Sequence, residues 1–349
     1  MSRVLSHRLL WPVVVLLVLV AVNVSTFPGF LSVTVRDGHL FGSLVDIARN
    51  GAPTMIIAIA MTLVIATRGI DLSVGAVGAI AGALACSIIM DAPDPGATST
   101  VVTAVGTALV LALVLGLWNG ALVAVLGLQP IVATLILMTA GRGVAMLITE
   151  GQIVTVNSPP FKVIGSGFLF GLPVPVLIAV AVVVVAALVT RRTALGLLIE
   201  SVGVNPEASR QAGVRSRGLT VGVYVACAFA AAVAGLILTS NQTAADANNT
   251  GLFIELDAIL AVVIGGTSLA GGRYSLAGTV IGALVIQTLV TTVYTVGIPP
   301  IATMIFKAAV ITVVCLLQSP ATGAALARWR RSLGPRSGRP AETPKVAVR

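Results

Sequence analysis

Charge, histidine and aromatic side chains are scarce in this sequence: 9% of its 349 residues are charged, 4% are aromatic, and it holds two histidines and three cysteines. Each scarcity excludes a chemistry. A phosphate-binding loop needs Gly-Lys-Ser/Thr, and the lysines are Lys162, Lys307 and Lys345, none in that context, so the chain hydrolyses no nucleotide by such a loop. His7 and His39 lie far from any plausible ligand set. Cys86, Cys227 and Cys315 sit in apolar runs without disulfide or zinc spacing. No metal or cofactor is expected, and no nucleophile and base pair for a membrane enzyme. The net charge of +9 gathers on no solvated domain outside the C-terminal tail, which argues against a nucleic-acid partner.

What the chain has in abundance is apolar surface. Hydrophobic residues make up 57% and the mean hydropathy is +1.06, more than a soluble fold of this size can bury. Lipid is therefore the expected solvent. About 20 helical residues cross a bilayer core of roughly 30 Å, and backbone groups in hydrocarbon must be satisfied within the segment. Ten apolar segments follow: Leu9 to Val24, Ala52 to Ala66, Val74 to Met90, Val101 to Val125, Ile131 to Thr149, Val174 to Val189, Leu219 to Leu238, Leu252 to Leu269, Leu276 to Val293, and Ile301 to Leu317. No small-x-small cleavage site follows the first before Pro28, so it is read as an uncleaved span. The expected fold is an all-α integral membrane protein of about ten transmembrane helices over residues 1–318, followed by a basic, disordered cytoplasmic tail at 319–349.

Basic residues orient this bundle. With the N-terminus inside, 16 of the 21 fall on the inner side, including Arg68, Arg191, Arg192, Arg210, Arg215, Arg217 and Arg273. Arg36, Arg49 and Lys162 fall outside, and Arg142 and Lys307 within spans. Positive charge collects on the cytoplasmic side, so both termini are expected there. Glycines one turn apart at Gly78/Gly82, Gly116/Gly120 and Gly278/Gly282 suit close helix packing. The text around Asp71 loosely echoes that around Ser275, a weak hint of the internal repeats that transporters use.

Two groups of residues are functional candidates. In the connection 190–218, Asn205 suits a helix N-cap, Pro206 the first helical position, Glu207 the positive end of the dipole and Gly213 the stop. A short helix over Pro206 to Ala212 follows, either a solvated connector or a docking element. Within the spans, Asp71, Asn119, Gln129 and Arg142 are candidates for a translocation pathway, because lipid exposure of such groups is costly. Each has a structural alternative: Asp71 as a cap of the third span, Asn119 and Gln129 as interhelical hydrogen-bonders, Arg142 as an ion pair or a clamp on backbone carbonyls. Glu255 and Asp257 are expected to open the eighth span from outside.

The blocks "TLVIATRGIDLSVGAVGAIAGA", "GLWNGALVAVLGLQPIVATLILMTAGRGVAMLITEGQIV", "RRTALGLLIESVGVNPEASRQAGV" and "FIELDAILAVVIGGTSLAGGRYSLAGTVIGAL" together resemble the branched-type sugar permeases of bacterial ABC importers, from about Asp37 to Gln318. "DGHLFGSLVDI" and "ADANNTGL" resemble the galactofuranose-type members in particular. The resemblance implies a monosaccharide passage in the inner membrane and four kinds of partner. These are a cytoplasmic ABC ATPase that binds the ATP, a periplasmic sugar-binding protein, surrounding lipid, and a second permease protomer. That protomer is either a different permease, as galactofuranose-type systems imply, or a second copy. Glu207, Ala208, Ser209 and Gly213 are similar to the Glu-Ala-Ala-x-x-x-Gly core of importer coupling motifs, with Ser209 in place of alanine and the later Leu-Pro missing. Arg68 stands where similar permeases carry glycine. The alternative, an ion-coupled secondary transporter, calls for ionisable groups near the midplane, of which Arg142 alone is a candidate.

Overall fold

The computed structural model describes residues 9–299 and 302–318. The proposed tail at 319–349, together with Arg3, His7 and Arg8, lies outside the described residues. All ten apolar segments contain helix: α1 (Leu10–Thr26), α2 (Ser43–Ala66), α3 (Val74–Met90), α4 (Thr98–Ala124), α5 (Pro130–Ile148), α7 (Val174–Arg192), α10 (Ser216–Gln242), α11 (Ile254–Ile264), α12 (Leu276–Val296) and α13 (Thr303–Gln318). Three further helices, α6 (Pro159–Ser166), α8 (Leu195–Val204) and α9 (Pro206–Gln211), lie in the connections. The chain is thus the expected helical membrane bundle. Among the described residues, α2, α4, α5, α7, α10 and α12 are long and apolar enough to cross a bilayer, and α1 and α3 are shorter apolar helices.

The central helix is α10, which packs on α4, α3 and α2. Small residues make this possible. A methyl group on Gly235 of α10 would lie 2.1 Å from the Gly78 carbonyl of α3, and one on Gly82 2.3 Å from Thr239. Gly116 and Gly120 of α4 meet the backbone of Val225 and Val221, again on α10. Gly278 and Gly282 of α12 meet Gly265 and the Ala261 carbonyl of α11. All three sequence pairs therefore mark real seams, where dispersion between backbones replaces the hydrophobic drive that lipid cannot supply. Several polar side chains inside the spans pair across helices as well. Asn23 of α1 donates to Thr292 of α12 at 2.6 Å, and Thr62 shares a hydrogen bond with Thr279 at 2.7 Å. Lys307 of α13 forms an ion pair with Asp257 of α11 at 2.7 Å.

The connections gather at two ends. At one, which we call the basic end, the Gly272 amide donates to Ala66 O, and the start of α8 packs on Thr190 and Tyr274. Arg68, Arg191 and Arg273 thus belong to one surface. At the other end lie a hairpin of β1 (Thr34–Arg36) and β2 (His39–Phe41), the pair β3 (Val154–Thr155) with β6 (Ala244–Ala245), and β4 (Phe168–Leu169) with β5 (Leu172–Pro173), all antiparallel. His39 stacks on Phe168 there, with ring centroids 4.5 Å apart.

Two boundaries differ from the sequence reading for physical reasons. Helix α2 begins nine residues before Ala52, because Asp46, Arg49 and Asn50 lower the local hydropathy without breaking the helix; Arg49 is tied to Asn241 at the end of α10. The eighth segment holds only an 11-residue helix, because glycine pairs at 265–266 and 271–272 end it early, with Gly266, Gly271 and Gly272 all at positive φ. A Gly235→Ala substitution should lower the melting temperature of the detergent-purified protein by several degrees, the overpacking costing about 1–3 kcal/mol. Gly106→Ala, where a methyl group meets nothing within 4 Å, should leave it unchanged or raise it.

Candidate functional site

The 190–218 connection folds as a protruding element rather than a loose loop. Helix α7 stops at Arg192, and α8 carries the chain to Asn205. The Asn205 side-chain oxygen accepts from the Glu207 and Ala208 amides at 3.1 and 3.0 Å, Pro206 occupies the first position of α9, and Gly213 leaves the helix at φ +84. Start and stop signals therefore act where the sequence places them. Pro206, Glu207, Ala208 and Arg210 are exposed, while Ser209 is buried beneath them. Arg210 donates to both Glu207 carboxylate oxygens, at 3.1 and 2.7 Å, and together with its charge this holds the Glu207 carboxyl below its usual value. A lowered carboxyl pKa keeps the pair intact at neutral pH and loses it only as pH falls below the ordinary carboxylate range.

Arg68 fastens this element to the bundle. It is exposed, with a left-handed backbone at φ +64 that lets the chain turn directly out of α2. Its guanidinium donates from Nε to Gly203 O at 2.6 Å and from Nη2 to Val204 O, the last carbonyls of α8. A cation there complements the negative end of the helix dipole. Gly203 has no room for a side chain against Ala66 O, and Gly271 packs on the Arg68 stem. Three connections, α2–α3, α8–α9 and α11–α12, are locked together at this one point.

Beyond Arg68 the chain turns back into the bundle, and the buried Asp71 organises the entry to α3. Its Oδ1 accepts from the Ser73 amide at 2.9 Å and from the Ser73 hydroxyl at 2.6 Å, and Asn119 of α4 donates to that hydroxyl at 2.8 Å. Asp71 and Asn119 are thus brought together through Ser73, which sequence reasoning passed over. Gln129 stands apart and exposed at the N-cap of α5, without a side-chain cap bond.

Helix α3 begins in the middle of the bundle. Ser87 donates to Ile148 O at the end of α5, and Gly75 lies 12 residues below that level, roughly 18 Å at 1.5 Å per residue. The chain after β6 descends to meet it. Ala247 packs among Ala79, Ile80, Ala83 and Ala145, and Gly251 and Glu255 press against Gly75. From there α11 runs about 16 Å to the basic end. Glu255 and Asp257 therefore open their helix from within the bundle, contrary to the sequence expectation, because the stretch 246–253 descends without forming helix. Arg142 holds that descent in place, donating to Ala247 O at 3.0 Å and Thr250 O at 2.7 Å. It is a clamp on backbone carbonyls.

The family model for "Branched-chain amino acid transport system / permease component" matches residues 43–315. The chain belongs to this permease family. It is similar to the galactofuranose transporter permease of Escherichia coli K12, with 50% identity over 90% of this chain and 92% of the relative. It is also similar to the fructose import permease of Bifidobacterium longum, with 41% identity over 91% of this chain and 90% of that one, and to the ribose import permease of E. coli K12, with 36% identity over 88% and 92%. No solved structure matches. As the permease component of a bacterial ABC importer the protein is a multi-pass membrane protein and is not itself the ATPase.

In this permease the Arg142 clamp ties α5 to the descending stretch through a charged donor, and such hydrogen bonds contribute about 1.5–3 kcal/mol each. Arg142→Met in lipid nanodiscs should therefore speed amide hydrogen exchange over residues 246–253 by at least about tenfold, with exchange in α4 unchanged. Identical exchange in the two proteins would show that the stretch holds its place without the clamp.

Proposed function

We propose that this permease imports a monosaccharide, receiving it from a periplasmic binding protein and moving it as a cytoplasmic ATPase closes on the α8–α9 element. The observation that carries this reading is the Arg68 junction. A short capped helix with an exposed Glu207–Arg210 pair protrudes from the basic end, and its base is hydrogen-bonded to the turn that leads into Asp71 and the interior start of α3. A push on α9 has a continuous route to the middle of the bundle. The names of the relatives, which specify galactofuranose, fructose and ribose, support a monosaccharide as cargo, and the 50% identity to the galactofuranose permease supports a sugar of that type.

The binding protein supplies the affinity, so the passage itself needs only transient polar contacts. The concentration of Arg68, Arg191, Arg210, Arg215, Arg217 and Arg273 at one end supports a cytoplasmic location for it, and hence for both termini. A second permease protomer completes the passage, and the galactofuranose likeness favours a different chain over a second copy. Asp71 at the entry to α3, with Asn119 of α4 joined to it through Ser73, serves in this reading as part of the pathway wall.

Three variants test the route in the transporter reconstituted with its ATPase and binding protein. Deletion of residues 206–212, or Glu207→Ala with Arg210→Ala, should abolish both uptake and binding-protein-stimulated ATP hydrolysis while the permease remains in the membrane; normal transport would refute the docking role. Arg68→Ala should keep ATPase assembly and hydrolysis but lower sugar moved per ATP by about tenfold or more, as expected for two lost charge-assisted hydrogen bonds. An unchanged ratio would place the transmission elsewhere.

A further inference from the structure

The non-helical stretch 246–253 is in the wrong solvent unless water reaches it. Irregular backbone at membrane depth is tolerated where protein buries it or where it lines a water-filled cavity. Here Ala245, Ala247 and Thr250 are buried, but Asn248 and Asn249 between them are exposed. The depth is fixed by neighbours on both sides: Ala247 packs among Ala79, Ile80 and Ala83, well below the end of α3, and Gly251 touches Gly75. Asp246 turns this segment, its Oδ1 accepting from the amides of Asn248 and Asn249 at 3.0 and 3.1 Å and its Oδ2 from the Asn249 side chain at 2.7 Å. Two carboxamides and a carboxylate facing acyl chains would be strongly disfavoured.

Just beneath, the N-terminal ends of α3 and α11 oppose each other, and two buried acceptors there have no donor. Glu255, 8% exposed, aims Oε2 at Gly75 without a hydrogen-bond partner, and Asn119, 1% exposed, leaves its Oδ1 unpartnered while its amide nitrogen holds Ser73. Unmatched buried acceptors are costly. A ligand rich in hydroxyl donors matches them, and interrupted helices meeting near the midplane form the substrate stations of other transporters.

The geometry points to a sugar-hydroxyl station at the meeting of α3 and α11, with Asn248 and Asn249 lining its aqueous mouth and the Glu255 carboxylate and Asn119 amide oxygen accepting hydrogen bonds from hydroxyl groups when the two helix ends part. This deepens the import reading and names where the cargo touches this chain. Arg142 acts through the backbone it clamps and is a positioning residue. The contact is transient: in the state seen here Gly75 closes directly on Gly251, so the station opens only when α3 moves.

The test uses the complete transporter in proteoliposomes, with Cys315 replaced by Ala and the buried Cys86 and Cys227 retained. Asn248→Cys and Asn249→Cys should react with a charged, membrane-impermeant methanethiosulfonate, and sugar-loaded binding protein with ATP should change the reaction rate several-fold. Reaction only with a lipid-soluble maleimide, or with neither reagent, would overturn the proposal by placing these residues against lipid or against a protein partner. In the second arm, Glu255→Gln and Glu255→Ala are assayed for uptake of ribose, fructose and galactofuranose. The expected result is a maximal rate reduced about tenfold by Glu255→Ala, less by Glu255→Gln, with the half-saturating concentration of loaded binding protein unchanged. Wild-type rates in both variants would remove Glu255 from the station. If the unaltered transporter carried none of these sugars, the import reading would fail, and charged-reagent labelling would still decide whether the mouth is aqueous.

Discussion

Hydrocarbon offers peptide groups no hydrogen-bond partner, and that constraint governs every interruption of helix in this molecule. The chain breaks helical structure at two places inside the bundle, before α3 and before α11, and each break carries its own set of replacement partners. Asp71, Ser73 and Asn119 satisfy the first. Arg142 and Asp246 satisfy the second, the arginine by covering carbonyls and the aspartate by covering amides. The division follows charge: a cation takes the acceptors and an anion the donors. Remove either and those backbone polar groups lose their protein partners.

Around these breaks the packing is by backbone approach rather than by large side chains. Gly78 against Gly235, Gly265 against Gly278 and Gly282 against Ala261 place helices so close that small shifts along the seam change which groups meet. Such contacts are specific without being deeply interlocked, which suits elements that separate and rejoin. The Lys307–Asp257 pair and the Asn23–Thr292 bond fix the outer helices α13 and α1 to α11 and α12. The peripheral helices are thereby tied to the inner ones that flank the breaks.

Much of this was legible in the residues. The ten apolar segments all contain helix, the glycine pairs mark true seams, and Asn205, Pro206 and Gly213 bound α9 as capping chemistry dictates. Asp71 does govern the start of α3, although through Ser73 rather than alone. What hydropathy could not show is depth. Leu252 to Leu269 has the apolarity of a span, yet Gly251 and the glycines from 265 to 272 confine its helix to 11 residues; the doubled glycines were the available signal. Helix α8 was hidden because ten residues are too few for a span and the surrounding charges read as a loop. Arg68 looked like an ordinary inner-side charge, and its bonds to α8 depend on a contact between residues 135 and 136 positions apart.

The shortness of α11 also bears on how the protein is built. An 11-residue segment cannot be handed to the bilayer as an independent span, and its Glu255 and Asp257 make solitary entry more costly still. It must enter together with α12 as a pre-paired hairpin, joined along the Gly265–Gly278 and Ala261–Gly282 contacts. Asp257 then waits for Lys307, carried by a helix that emerges later from the ribosome. Assembly around α11 is therefore a concerted event, completed only after α13 has followed α12 into the membrane.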